Sequence, residues 1–199
     1  MKQGFMAGLA VIAGLAVTGC TNTIKYDNAP IANQSTVQQV GLEQFEKSTD
    51  SMLASMLDDA DVQAVSHAKR PMLAVYGMTD ITSENIDTAA LNSRIMTALD
   101  KSSRFRFVKD ADLSKAVSNL NPNPYDLEEQ PDAAKPLTSA VDADYLLIGQ
   151  ISRIIRAQPN VRDVFYRVTL KLVDPRNNKF VWQEQREFLK SEEKTIYGI

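Results

Sequence analysis

Ala143-Asp-Tyr-Leu-Leu-Ile-Gly-Gln-Ile-Ser-Arg-Ile-Ile155 is the stretch that decides the fold. Its first half, Tyr145-Leu146-Leu147-Ile148, is an unbroken apolar run, the pattern of a strand covered on both faces. Beyond Gly149 the pattern opens, with Ile151 separated from Ile154 and Ile155 by Ser152 and Arg153. The strand is therefore expected to leave a covered core and end at a more exposed edge. Two strand-like runs follow it and helix-like segments precede it, which makes it the centre of one mixed sheet.

On its C-terminal side, Ala157-Gln-Pro-Asn160 reads as a turn. Val164–Val173 then alternates, with Val164, Tyr166, Val168, Leu170 and Leu172 on one face and Phe165, Arg167, Thr169 and Lys171 on the other. Asp174-Pro175-Arg-Asn-Asn178 is turn chemistry, and Phe180–Leu189 reads as a final strand with Phe180 and Trp182 on one face. Trp182 fits a core or rim position better than a sugar-stacking platform. These runs make a three-stranded antiparallel meander, and the charged tail Ser191–Ile199 is expected to fray.

On the N-terminal side the reading alternates between strands and helices. Pro71 opens a strand over Met72–Tyr76. The polar segment Thr79–Asn85 follows as a loop, and Asp87 caps a helix to about Lys101 whose inner face is Leu91, Ile95, Ala98 and Leu99. Phe105–Val108 reads as a short strand. Asp110 caps a further helix with a stripe of Leu113, Ala116, Val117 and Leu120. Asn121–Asp126 and Leu127–Pro131 read as a surface loop. A short helix spans about Asp132 to Val141, with Pro136 either kinking it or delaying its start. Earlier in the chain, Gln38–Asp59 carries Leu42, Phe45, Met52, Leu53, Met56 and Leu57 at helical spacing, a face to pack on the domain. Ser35 and Gln38 fit a capping box there, although Gly41 weakens the first turn. The fold class is thus α+β, an α/β sandwich whose helices pack on a mixed sheet.

Charge and cysteine content narrow the function. The chain of 199 residues carries a formal charge of −3, and without residues 1–19 it has 21 basic against 25 acidic residues, or −4. That balance suits phosphate-backbone binding poorly. The local run Lys101–Arg106 fits a cationic helix end running into a half-exposed strand. One cysteine, Cys20, allows no internal disulfide and no multi-cysteine zinc site. Lys2 with the apolar Phe5–Val17 makes a signal peptide, too short for a comfortable transmembrane span of roughly 20 residues. Val17-Thr18-Gly19-Cys20 resembles the bacterial lipobox, in which the signal is cut before a diacylated Cys whose new amino group is then acylated. Several acyl chains at ~0.8 kcal/mol per buried CH₂ make a stable anchor. Thr21, rather than Asp, after the Cys resembles the pattern of lipoproteins sorted to the outer membrane. The chain is therefore expected to divide into a signal peptide (1–19), lipidated Cys20 with a flexible tether (20–36), one domain (37–190) and a tail (191–199).

No enzyme signature stands out. There is no dinucleotide or phosphate-binding glycine loop and no zinc-protease motif, and His67 is the only histidine, in a polar stretch. Asp142 and Asp144 fit solvated or capping carboxylates. No cofactor or metal is expected. Binding without chemistry remains, and Thr79–Asn85 is the segment where a rigid scaffold would present it. If that segment binds rather than merely connects, Asp80, Glu84 and Asn85 are the candidate partner-binding residues, the two acids steering a basic patch on the partner.

Arg70-Pro71-Met-Leu-Ala-Val75, Ile86-Asp87 opening a helix, Ala98-Leu99 before Ser103-Arg-Phe-Arg-Phe-Val108, and Ala143-Asp-Tyr-Leu-Leu-Ile-Gly149 together resemble the LpoB family of outer-membrane lipoproteins. The resemblance covers roughly residues 40–189 and the lipobox. It implies a domain like the N-terminal domain of TolB and part of the curli secretion lipoprotein CsgG. It implies a function too: stimulation of a bifunctional class A penicillin-binding protein, a peptidoglycan synthase of the inner membrane; the charge balance leaves nucleic acid out of its expected partners. A CsgG-like subunit of a secretion or envelope assembly is the competing reading, but the one alternating hairpin, Val164–Leu189, is needed for the domain sheet. The tether, Thr21–Thr36, is shorter than in some members of that family.

Replacing Cys20 with Ser is expected to abolish acylation and release the protein from the membrane fraction. Lipid labelling and fractionation check this; a Cys20→Ser chain that still carries lipid and sediments with the outer membrane would sink the lipobox reading.

Overall fold

The computed structural model describes residues 42–67, 69–158 and 161–194. The signal peptide, Cys20, the tether and the Ser35–Gln38 capping box lie outside the described residues, as do Pro159-Asn160 of the expected turn and the last five residues. In chain order the elements are α1 (Leu42–Asp58), α2 (Ala60–Ser66), β1 (Met72–Asp80), α3 (Thr88–Ser102), β2 (Arg106–Phe107), α4 (Asp110–Leu120) and α5 (Pro124–Glu129). A 3₁₀ turn (Pro131–Ala134) runs into α6 (Lys135–Ala140), followed by β3 (Tyr145–Gln158), β4 (Val161–Asp174) and β5 (Lys179–Lys194). The five strands form one sheet in the order β2-β1-β3-β4-β5, with β1 parallel to β2 and β3, and β3-β4-β5 antiparallel.

The run that predicts the central strand occupies the centre. Leu147 lies between Val75 of β1 and Leu172 of β4 and, with Leu73, Ile151, Val168 and Leu170, faces a core closed by α1, α2 and α3. Leu146 and Ile148 face a second core closed by α4, α5, the 3₁₀ turn and α6. The Met and Leu stripe of α1 packs on the sheet, with Phe45, Met52, Leu53 and Met56 all buried, and Trp182 is a core residue. The fold is α+β, with helices on both faces of a mixed sheet.

Several boundaries differ from the sequence expectation, each for a local reason. The first helix stops at Asp58, because Asp59 turns its carboxylate to accept the N–H groups of Asp61 and Val62 and so caps a separate α2. Strand β1 runs to Asp80 rather than Tyr76, so Thr79 and Asp80 are strand, not loop. Its alternation breaks at a bulge: Val75 pairs with Leu147 and Gly77 with Ile148, leaving Tyr76 extra. Gly77 takes φ +83°, and Asn92 of α3 seals the bulge by accepting the Met78 N–H at 2.6 Å. The shift moves Met78 into the same core as Leu73 and Val75. Asp110 is the first residue of α4 rather than its cap, which is Lys109. Leu120, expected in the stripe of α4, is exposed.

The loop expected at Asn121–Pro131 contains α5. Asn123 caps it by accepting the Tyr125 N–H, Pro124 occupies its first turn, and Leu127 is buried. The helix expected from Asp132 begins as the 3₁₀ turn, and Pro136 stands in the first turn of α6, where its missing N–H is not needed. The strand expected over Phe105–Val108 narrows to Arg106–Phe107. Strands β3, β4 and β5 are all longer than expected, and β5 continues to Lys194, into the segment expected to fray.

Truncating Leu147, which has no exposed surface, to Ala is expected to destabilise the domain by ~2–5 kcal/mol in urea unfolding. A loss below about 0.5 kcal/mol would mean that β3 is not the centre of the core.

Candidate partner-binding surface

The two ends of the sheet are unlike. At one end β3 is latched to β1: the Met72 N–H donates to Asp144 Oδ2 at 2.8 Å, and the Asp144 N–H returns a bond to Met72 O at 2.8 Å. At the other end β1 stops opposite Ile151, while β3 continues for seven more residues, with β4 and β5 alongside. At about 3.3 Å per residue this makes a three-stranded arm roughly 23 Å long. The loop after β1 lies at its base.

That loop is organised by Asp80. Its Oδ1 accepts the Thr82 N–H (2.8 Å) and the Thr82 hydroxyl (2.6 Å), and its Oδ2 accepts the Ile86 N–H (2.9 Å). Thr82 is buried and its Oγ1 in turn accepts the Glu84 N–H at 3.2 Å. The chain can fold this tightly because Ser83 and Asn85 take left-handed backbone angles, φ 68° and 53°. Burial pushes the Asp80 carboxyl up, but the Thr82 hydroxyl and the Thr82 and Ile86 amides outweigh it and hold it below the usual carboxylate range. Asp80 thus directs its charge into the loop.

Glu84 reaches across to the sheet. Its carboxylate accepts the Tyr166 hydroxyl of β4 and stands 3.5 Å from the guanidinium of Arg153 on β3. The Tyr166 ring packs against Phe45 of α1, with centroids 5.1 Å apart, and Phe45 meets Phe188 edge-on. Glu84 and Arg153 are therefore brought together, while Ser83 and Asn85 project into solvent. On the opposite face of the arm, Ile154, Phe165 and Leu189 align across the three strands and belong to neither core. Beside them Glu187 pairs with Arg156 (2.6 Å) and Arg167 (2.8 Å), and Arg156 lies over the Phe165 ring. Arg153, Tyr166, Phe165 and the Arg156–Glu187–Arg167 group were not among the candidates from sequence. The signal was present in the alternation of β4 and in the opening of the pattern after Gly149.

The surface is built for contact. Among the described residues no group of His, Cys, Asp or Glu is arranged to hold a metal ion, and no helix is long and apolar enough to cross a membrane. His67 is exposed at the end of α2. What is present is a hydrogen-bonded loop, a row of paired charges and a half-buried apolar stripe in which Leu189 alone is exposed, the ingredients of a polar-rimmed protein interface.

The chain is an α+β domain with an open, charged sheet end. Residues 44–188 match the family of the peptidoglycan-synthase activator LpoB, and the chain belongs to that family. In fold it is similar to the LpoB C-terminal domain from Salmonella enterica (18% identity, TM-score 0.50). It is also similar to that from Escherichia coli (19% identity, TM-score 0.49); each comparison covers 70% of this chain and 94% of the other. No curated protein matches the sequence significantly.

Because its folded carboxyl is lowered, Asp80 adds stability that is fully present above the ordinary value of 3.8 and is lost as pH falls through the lowered folded value. The stability difference between the wild type and Asp80→Asn is therefore expected to be constant near neutrality and to shrink as pH drops below about 3.8. Urea unfolding at a series of pH values reads it. A difference that does not change with pH would mean that the charge of Asp80 contributes nothing to the loop.

Proposed function

We propose that this chain is an outer-membrane-anchored lipoprotein whose periplasmic domain binds and stimulates a bifunctional class A penicillin-binding protein, with no catalytic activity of its own. The observation that carries this reading is the match to synthase activators over residues 44–188. The lipobox at Cys20 supports the anchor. An activator of this kind shifts the synthase toward its active state only by binding that state more tightly. We place the contact at the base of the arm. There Glu84, Asn85 and Arg153 meet the partner, and Asp80 holds the loop in the shape that presents them. Rim charges of this sort act mainly on association rate and its salt dependence. The alternative, a bilayer-inserted secretion subunit, is disfavoured by the arm. Its seven residues past β1 fall short of the about 9–11 that a membrane-crossing strand needs.

The test has two parts. The full chain with Cys20→Ser, added to a purified class A synthase from the same envelope, is expected to accelerate glycan polymerisation. No acceleration with any such synthase overturns the reading. In cells, deletion of Ile24–Gln34 is expected to abolish stimulation while the same deletion protein still works in solution. A flexible coil of sixteen residues has an end-to-end distance of only about 20–25 Å, and shortening it lowers the concentration of the domain at an inner-membrane partner. A deletion that behaves as wild type in cells points to a partner close to the outer membrane and counts against a synthase.

A further inference from the structure

Strand β5 is one border of the sheet. Fourteen of its sixteen residues pair with β4 on one side, Val181 and Lys190 falling at bulges, and among the described residues no hydrogen bond reaches its main chain from the other. An unpaired edge of this length is a template for another strand. Charges on an edge usually forbid such pairing, but here their order suits one occupant, a second copy of β5.

Two copies related by a two-fold axis normal to the sheet pair antiparallel and keep equivalent faces on the same side. One residue then faces its own copy, and the rest pair symmetrically about it. Centring the axis on Glu184, Arg186 or Glu187 sets like charges directly opposite, which is unfavourable. Centring it on Gln185 avoids this. Glu184 then meets Arg186, Gln183 meets Glu187 and Trp182 meets Phe188, each pair occurring twice. Within one chain Arg186 already binds Glu184 at 2.6 Å, so the two copies would join their pairs into a row of alternating charge. Glu184 itself is buried on the face that β5 shares with α1 and α2, and its bond to Arg186 fixes the position of both charges beside the edge. We propose that β5 pairs with β5 of a second copy, antiparallel and centred on Gln185, joining two sheets into one.

The experiment uses the full chain with Cys20→Ser, so that an added thiol is the only one. Gln185→Cys would set two thiols opposite each other at the axis. Facing Cβ atoms there stand about 4.5–5.5 Å apart, close enough for a disulfide after small adjustment. At Gln183 the two copies are four residues out of register, about 13 Å apart, so Gln183→Cys is the control. Mild oxidation is expected to give a covalent dimer with Gln185→Cys and none with Gln183→Cys. In sedimentation the Cys20→Ser chain is expected to dimerise with rising concentration. Gln185→Lys, which places two cations at the axis, should weaken dimerisation by about two- to fivefold with an unchanged circular dichroism spectrum. A chain that stays monomeric into the millimolar range overturns the proposal, and so does cross-linking at Gln183 equal to or above that at Gln185.

Discussion

The fold depends on burying both faces of one strand segment. Leu146, Leu147, Ile148 and Ile151 are almost wholly removed from solvent, alternating between two separate cores. Neither core closes without the strand that divides them: on one side Leu147 and Ile151 fill the space beneath α1 and α3, which also lie against β1, β4 and β5, and on the other Leu146 and Ile148 lie beneath α5 and α6. The segment is also where three strands meet most tightly. The space above Gly149 is filled by the Met78 side chain of the neighbouring strand, whose Sδ would lie 2.1 Å from a Cβ there, so a side chain at 149 would displace Met78 from the core. The reciprocal hydrogen bonds between Met72 and Asp144 set the register at the entry to this pairing, and a slip of one residue would exchange the two cores' side chains.

From that constraint the position of the open arm follows. Helices cover the sheet where β1 and β3 run together, and β3, β4 and β5 outlast β1. The polar groups at the open end cannot be held by burial, so they are held by each other. Asp80 closes its loop with three hydrogen bonds, Glu84 ties that loop to Tyr166 and Arg153, and Glu187 joins two arginines of the arm. Side chains fixed in this way lose less entropy when a partner arrives than free ones would. Their individual ion pairs, being largely solvent-exposed, add little to folding stability. Their role is shape.

Much of this was legible in the residues, and the misses share a cause. Continuous or strictly alternating apolar patterns, in Tyr145–Ile148 and Val164–Val173, located their strands and faces. The cap at Asp87 placed α3. What escaped were elements whose pattern is interrupted by a functional local device. The Gly77 bulge reverses the alternation of β1 and hid its last residues. Asn123-Pro124 reads as a breaker and acts as a helix start. Asp59 reads as a helix end and acts as the cap of the next helix. The arm was hidden because only one of its faces is covered, by Phe45 of α1 against Tyr166 and Phe188, while the other mixes Ile154, Phe165 and Leu189 with Arg156, Arg167 and Glu187. At the site, Glu84 and Asn85 could be picked out as polar loop residues. Their neighbours Arg153 and Tyr166 are more than 60 residues away in sequence, and only the register of β3 and β4 brings them near.

The two surfaces proposed here draw on different parts of the same strands. Partner contact at the base of the arm uses side chains on the faces of β3 and β4 and in the loop after β1. Self-pairing uses main-chain groups on the outer edge of β5. An axis at Gln185 runs the arm of one copy beside the latched end of the other, so the two arms point in opposite directions and both keep their faces open. Dimerisation therefore does not compete with a partner that reads side chains. It does compete with one that adds a strand to β5. Because the two copies present their arms at opposite ends, a single partner molecule engages one arm at a time. Pairing then changes the concentration and orientation of the domain, and the contact between one arm and its partner stays the same.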